Sequence, residues 1–182
     1  MLTNRRLPII VIVLTLLAGA CVAIALTNHR ADRSFSRFAV ATDTSKVESV
    51  TIEWPNNDTT LNLSRHNGSW VIDLPMGDIA ANPDQVDELL ACLSAIEIKR
   101  QMTNSSQTWA RYGVDTDSST HVVVRSKRRV EADFYCGKVG FNPQQGDVWT
   151  YVRTANKPNV YMTDGYLNLT LNKPFQSWIK NY

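Results

Sequence analysis

The fold is decided between Val50 and Pro75, where the chain reads VTIEWPNNDTTLNLSRHNGSWVIDLP. Apolar and polar residues alternate here in three short runs, which is the period of two typical of half-buried β-strands. The apolar members of these runs are Val50, Ile52 and Trp54, then Leu61 and Leu63, then Trp70, Ile72 and Leu74. Turn-forming residues separate the runs, with Pro55-Asn56-Asn57-Asp58 after the first and His66-Asn67-Gly68 after the second. We therefore predict an antiparallel meander of three strands.

An amphipathic helix is predicted directly after the meander. Asn82 is a good N-cap, Pro83 fits the first helical position because no amide donor is missed there, and Asp84 favours the positive end of the helix dipole. The apolar residues that repeat at helical spacing are Val86, Leu89, Leu90, Leu93 and Ile96. We expect this helix to pack across the meander and close the core.

The second half of the chain predicts further strands. Alternation covers residues 122–124, 130–136, 149–153 and 159–162, and a Gly/Pro/Gln loop is expected over 137–147. Thr163 is expected to cap a short helix over Tyr166–Leu171, although Leu167, Leu169 and Leu171 also alternate and leave a strand open. About seven strands and two or three helices, segregated along the chain, predict an α+β fold with one antiparallel-sheet domain.

The N-terminal segment predicts a membrane anchor. Residues 7–26 carry no charge, and about twenty apolar residues match the hydrocarbon thickness of a bilayer. A helix satisfies its own backbone in that environment. We therefore expect a cytoplasmic N-terminus at 1–6, a transmembrane helix at 7–26, a juxtamembrane stalk at 27–46 and a folded domain at 47–182.

Two other interpretations of the anchor stay open. Residues 17–21, Leu-Ala-Gly-Ala-Cys, resemble a bacterial lipobox, in which Cys21 would be lipidated after cleavage. The third possibility is a simple cleaved signal peptide. Residues 22–26 continue the apolar run beyond any plausible cut, which favours a retained anchor. The positive charges on the two sides of the span nearly balance, so charge bias does not decide the orientation.

Composition and residue spacing argue against several kinds of site. The net charge is only +2, and nucleic-acid binding needs clustered basic residues with stacking aromatics, which the short run Lys127-Arg128-Arg129 does not provide. The three histidines, His29, His66 and His121, lack the spacing of zinc ligands. We therefore expect no nucleic-acid partner, no metal and no cofactor.

The two cysteines of the predicted folded domain, Cys92 and Cys136, do not indicate catalysis. Cys136 lies on the apolar side of a predicted strand, and a nucleophile needs a neighbouring base and an orienting group. An inert core thiol is therefore favoured, no catalytic residue is predicted, and the protein is not expected to be an enzyme. Whether Cys92 and Cys136 form a disulfide in an oxidising compartment is left open.

Small and aromatic residues indicate protein contacts. Ala18, Gly19 and Ala20 permit close approach of a partner helix in the membrane. Trp109 and Trp149 lie on or beside predicted loops, and tryptophan is favoured at interfaces. We predict these five residues as partner-binding positions.

Eight short motifs follow one another along the predicted folded domain. They are Val50-Thr51-Ile52, Leu63-Ser64-Arg65, Gly68-Ser69-Trp70-Val71-Ile72, the Val86/Leu89/Leu90/Leu93 helix, Tyr112-Gly113-Val114-Asp115, Phe134-Tyr135-Cys136-Gly137-Lys138, Tyr151-Val152-Arg153 and Asn159-Val160-Tyr161. Their order, over about residues 47–179, resembles the bacterial DUF4340 domain family. The resemblance implies one N-terminal membrane span, a domain outside the cytoplasm and companionship with ABC-type export systems of the gliding-motility kind. It implies no catalytic residues, and this chain departs from the family in being short, with a single copy of the domain.

These observations predict a non-enzymatic, single-span accessory subunit of a larger membrane complex. The expected location is the bacterial inner membrane, with the C-terminal domain in the periplasm. The expected partner is an integral membrane complex, namely an ABC transporter or a respiratory or photosynthetic assembly, together with membrane lipid. The alternative is an ABC-transporter-associated envelope protein or lipoprotein that binds lipid or glycan.

Overall fold

A computed structural model describes residues 37–55, 59–127 and 129–181. The strands in this part of the chain are β1 (Phe38–Ala41), β2 (Ser49–Glu53), β3 (Thr60–His66), β4 (Ser69–Ile72), β5 (Ile79–Ala80), β6 (Ala95–Glu97), β7 (Arg100–Thr103), β8 (Thr120–Arg125), β9 (Val130–Asn142), β10 (Asp147–Thr154) and β11 (Val160–Asp164). The α-helices are α1 (Pro83–Ser94), α2 (Trp109–Tyr112) and α3 (Tyr166–Leu171). Nine strands form one antiparallel sheet in the order β5-β4-β3-β2-β8-β9-β10-β11-β7, and β1 pairs with β6. The predicted α+β class is confirmed.

The predicted meander is strands β2, β3 and β4. Val50 pairs with Leu63, and Leu63 pairs with Ile72, so the apolar members of the three runs share one face of the sheet. The β3–β4 turn has positive φ at Asn67 and Gly68 (52° and 85°), as a tight hairpin turn requires. Turn chemistry and alternation therefore agree over this segment.

Helix α1 starts where the sequence predicts and ends earlier. The Asn82 side chain accepts a hydrogen bond from the Asp84 amide (3.1 Å), and Val86, Leu89 and Leu93 are buried. The helix ends at Ser94, so the expectation that Ile96 belongs to its apolar face is wrong. Ile96 lies in β6 and pairs with Val40 of β1, which buries it as a strand residue instead.

The folded unit begins at Arg37 rather than at Val47. β1 lies inside the segment expected as a stalk, and Val40 is part of the hydrophobic core. Residues 27–36 of the expected stalk and the expected transmembrane helix at 7–26 lie outside the described residues. Within the part that the structure describes, no helix combines the length and the apolar character needed to cross a membrane.

Two predictions for the second half need correction. Residues 137–142, expected in a loop, continue β9, which pairs with β10 from Val139 to Asn142. A Cβ at Gly137 would overlap Tyr112, and one at Gly140 would overlap Trp149. These glycines therefore serve close packing within a strand. Thr163 does not cap α3, since it lies in β11 and donates a hydrogen bond to the Thr150 carbonyl (3.1 Å). Residues 166–171 are helical, which settles the open alternative.

The hydrophobic core lies on one face of the large sheet. It includes Val50, Ile52, Leu61, Leu63, Ile72, Val122, Val124, Phe134 and Val152 from the strands, and Val86, Leu89, Leu93, Leu167, Leu171 and Trp178 from the covering segments. The Trp54 indole donates to the Leu171 carbonyl (2.8 Å), which ties the meander to the end of α3. The other face of the sheet carries the alternate residues of the same strands.

Candidate functional site

The β9–β10 hairpin extends beyond β8. β8 begins at Thr120, which pairs with Cys136, so β9 has no β8 neighbour after that point. Between the pairs Cys136–Val152 and Val139–Thr150, β9 contains one residue more than β10. This bulge reverses the alternation of β9, because an extra residue turns all later side chains to the other face. Val139 therefore faces the same side as Thr150.

Exposed apolar side chains cover this side of the hairpin and the adjacent helix. Phe141 pairs with Val148 and is 60% exposed. Gly165 lies so close to Val148 that a Cβ there would overlap it, which places the start of α3 beside the hairpin. On α3, Tyr166 is 76% and Leu169 is 59% exposed. We define the hairpin patch as Val139, Phe141, Val148, Tyr166 and Leu169.

The hairpin patch borders a shallow apolar depression. The depression has a volume of about 210 Å³, and its lining includes Cys92, Ile96, Tyr166 and Leu167. Tyr166 belongs to both features. A bulky side chain of a partner that lies across the patch has a receiving pocket here, which is the geometry of an interface anchor.

Trp149, one of the predicted partner-binding residues, lies on the opposite face of the same hairpin. It pairs with Gly140, and its indole occupies the space that a side chain at that position would need. The indole nitrogen is buried and has no hydrogen-bond partner among the described residues. Trp149 therefore lies next to the hairpin patch and not within it. Its role in partner binding stays a prediction.

Trp109, the other predicted tryptophan, is half-buried and contacts other residues of the folded unit. The Arg153 guanidinium lies 3.8 Å from the Trp109 ring centre and 4.0 Å from that of Tyr135, so it is held between two aromatic faces. Arg153 is 2% exposed and donates from Nε to the Val114 carbonyl (3.0 Å), while the Trp109 indole donates to the Pro158 carbonyl (3.0 Å). Burial lowers the pKa of Arg153, and the neighbouring Tyr135 opposes that effect. This geometry gives Trp109 a structural contact, and its predicted partner role stays untested.

A polar row continues from Tyr135 across the sheet. The His121 ring stacks on Tyr135 with 4.4 Å between ring centres. Its two nitrogens lie 2.8 Å from carboxylate oxygens of Glu53 and Asp133. Each side chain is positioned by direct strand pairing, His121 with Glu53 on one side and with Tyr135 on the other. Both ring nitrogens are used within the row, so His121 is positioned by the sheet and not presented to a ligand.

The thiols and the N-terminal residues complete the positions named from sequence. Cys92 and Cys136 are free thiols, so the open question of a disulfide is answered against pairing. Burial raises the pKa of the Cys136 thiol to about 12, with a smaller opposing effect from Asn168. Cys136 is therefore a neutral core thiol at physiological pH. The predicted contact residues at 18–20, Ala18, Gly19 and Ala20, lie outside the described residues.

The fold brings together one cluster of possible ligands that residue spacing in the sequence does not predict. His66, Asp73 and Asp78 each place one ligand atom within 4.8 Å of the others. Their spacing along the chain matches no metal motif. The pairing of β3 with β4 and of β4 with β5 brings them together in the fold. The signal available in the sequence was the predicted hairpin itself, whose register sets residues near 73 beside residues near 64.

Comparison with known proteins gives one match. The family model described as "Domain of unknown function (DUF4340)" matches residues 70–181, from β4 to the C-terminal segment, and includes α1, the β9–β10 hairpin and α3. No curated protein matches the chain, and no solved structure matches it. The match covers more than half of the 182 residues, and the chain belongs to the DUF4340 family.

Proposed function

We propose that this protein is a non-enzymatic accessory subunit that docks on a larger complex of the bacterial inner membrane. In this proposal residues 7–26 form a retained transmembrane anchor, and the folded unit from Arg37 binds its partner in the periplasm. The partner belongs to an integral membrane complex, of the ABC-transporter, respiratory or photosynthetic kind. The anchor is argued from the uncharged N-terminal run, and the docking from the surface of the folded unit.

The hairpin patch is the observation that supports docking best. Large contiguous apolar patches are uncommon on soluble monomers and mark interaction sites. Here, strand register places Phe141 opposite Val148, and the close approach of Gly165 to Val148 places the start of α3 beside the same strand. The pocket beside Tyr166 adds a concave element to an otherwise flat surface. These features match an interface with an apolar centre and an anchor site.

Charges around the patch favour a protein partner over an anionic lipid surface. Peripheral lipid binding uses Lys and Arg on the membrane side. Asp147 is the charged residue next to Val148 on β10, and Glu97, which lines the depression, pairs with Arg37 (2.9 Å). Lys138 of β9 directs its amine away, towards the last carbonyls of α2. Among the described residues, the cations beside the depression, Arg37 and Lys99, pair with its lining residues Glu97 and Asp164. This rim is therefore mixed in charge, unlike the basic surface that binds an anionic membrane.

The test is co-purification from native membranes at native expression, with variants of the patch. Phe141→Ser and Leu169→Ser should each lower recovery of an integral membrane partner at least about fivefold, the effect of losing about 1 kcal/mol of binding energy. Met76→Ser is the matched control, because Met76 is fully exposed on the β4–β5 connection and outside the patch. A wild-type chain that purifies as a solitary monomer, or patch variants that retain the partner as well as the control does, would contradict the proposal.

A further inference from the structure

Strand β9 has a free edge beyond the end of β8. Thr120, the first residue of β8, lies opposite Cys136, whereas β10 pairs with β9 as far as Asn142. Among the described residues, no other strand lies beside residues 137–142 on the side where β8 ends. The unpaired backbone groups of such an edge are a template for pairing with another chain.

The strand register shows which backbone groups point out of this edge. The Asn142 carbonyl accepts a hydrogen bond from the Gly146 amide (2.8 Å), so the backbone groups of Asn142 are directed towards β10. These directions alternate along an antiparallel strand. The N–H and C=O groups of Val139 and Phe141 therefore point away from β10, into the space beside the free edge.

The free edge lacks two features that usually protect an edge strand from pairing. Residues 139–142 are Val-Gly-Phe-Asn and include neither a charge nor a proline. Val139 and Phe141 are also exposed. Lys138 is the flanking charge, but its amine donates to the Ala110 carbonyl (3.3 Å) and is therefore not held over the edge.

The edge is complementary to itself in the antiparallel orientation. With Gly140 of two copies on a two-fold axis, Val139 of each copy lies opposite Phe141 of the other. Both members of each pair direct their N–H and C=O groups across the edge, so every one of these groups finds a partner. A β-branched residue opposite an aromatic residue is also a favourable cross-strand pair. The interface is isologous, as a two-fold dimer requires.

The charges and the length of the free edge also fit a second copy. In this register Lys138 lies opposite Asn142 of the other copy, and Asn142 pairs with Asp147 of β10. Each Lys138 is therefore in one row with a carboxylate, while the two Lys138 residues are separated by about 14 Å along the strands, which exceeds the Debye length. Residues 138–142 of the second copy occupy the free edge without reaching the position of Thr120.

We propose that two copies of the folded unit form a two-fold dimer through antiparallel pairing of their β9 edges at residues 139–141. The pairing continues the sheet of one copy into the sheet of the other. Val139 and Phe141 of both copies then adjoin on one face, so the two hairpin patches form one larger apolar surface. This inference does not depend on the docking proposal, because edge pairing uses backbone groups and docking uses the side chains of the face.

The experiment is disulfide cross-linking of the purified full chain at high micromolar concentration in a mild detergent, with no other protein present. Cys21→Ser and Cys92→Ser remove two native thiols, and Cys136 is buried. A Val139→Cys copy and a Phe141→Cys copy with different tags are mixed and oxidised. In the dimer these two positions are opposite, with Cα atoms about 5.5 Å apart, which is within disulfide range. Two copies of Val139→Cys would be about 8 Å apart, which is too far.

The mixture should form a dimer linked from residue 139 to residue 141, as read by peptide mass spectrometry, at least about tenfold faster than either variant alone. Met76→Cys mixed with Val139→Cys is the matched control, because Met76 is fully exposed on the β4–β5 connection, away from β9. Far-UV circular dichroism checks that the variants are folded.

Two results would overturn the inference. One is a mixture that cross-links no faster than the Met76 control, which would show that the edges do not pair. The other is a single variant that cross-links as fast as the mixture, which would indicate random collision or another register. Because no other protein is present, either failure leaves the docking proposal standing, and co-purification from membranes tests that proposal separately.

Discussion

Replacing Arg153 with alanine is expected to loosen the segment that contains α2 and to lower the stability of the folded unit by about 3 kcal/mol. The guanidinium is packed between the rings of Trp109 and Tyr135, and each desolvated cation–π contact is worth about 1–2 kcal/mol. Its loss also leaves the carbonyl of the buried Val114 without its donor, at about 1–3 kcal/mol. Regained side-chain freedom offsets about 2 kcal/mol of this sum.

The measurement is thermal unfolding of the full chain in detergent, followed by tryptophan fluorescence and near-UV circular dichroism. For a unit of this size, a loss of about 3 kcal/mol lowers Tm by about 10 °C. Arg125→Ala is the matched control, because Arg125 is an exposed arginine at the end of β8 and should change stability by less than about 0.5 kcal/mol. Trypsin should also cut sooner after Arg111, on α2, in the Arg153 variant than in the control.

A second variant keeps the test decisive if the alanine protein does not fold. Arg153→Lys retains the positive charge but not the planar group between the two rings, so its Tm should fall between those of wild type and Arg153→Ala. An alanine variant that unfolds within about 2 °C of the Arg125 control would refute the energetic role assigned to the stack. A lysine variant equal to wild type would show that charge alone is sufficient there.

Three further predictions follow from other parts of the chain. Lys173 hydrogen-bonds Glu88 (2.5 Å) and lowers the pKa of that carboxyl, so its stabilisation is present above the ordinary carboxyl pKa and is lost as pH falls through the lowered value. Glu88→Gln should therefore make Tm fall less steeply as the pH is lowered. The free energy of unfolding that this pair contributes is less than about 1 kcal/mol, because the pair is partly exposed. A maleimide at pH 8 should label Cys92 in the native protein, and Cys136 only after unfolding, as read by peptide mass spectrometry. The intact mass of the mature protein should include residues 7–26 without lipid, whereas a start beyond this segment would remove the anchor from the proposed function.

The elements predicted correctly are those whose determinants lie close together in the chain. In β2 and β3 the alternation of Val50, Ile52, Leu61 and Leu63 identifies the buried face without knowledge of the partner strand. In α1 the cap at Asn82 acts over two residues. Local chemistry is sufficient in these cases, because the signal and the structure span the same few residues.

The elements that sequence reasoning missed depend on distant partners. β5 contains only two residues. It is a strand because Ile79 pairs with Ile72 and Ala80 pairs with Val71 of β4. Two residues carry no detectable period. Ile96 continues the helical spacing of α1, yet the pairing of β1 with β6 places it in a strand. In both cases tertiary pairing overrides a local pattern that is short or ambiguous.

The bulge in β9 explains why the hairpin patch could not be predicted. Alternation from Ala132 to Cys136 places even-numbered residues on the core face, and extending it would put Val139 and Phe141 on the other face. The register with β10 shows one additional residue before Val139, so both residues instead face the side of α3. The glycines around the bulge suggested a loop, although each is required by close packing in a strand. A surface that combines side chains from two strands and a helix is therefore specified by a single backbone irregularity, and only the strand pairing reveals it.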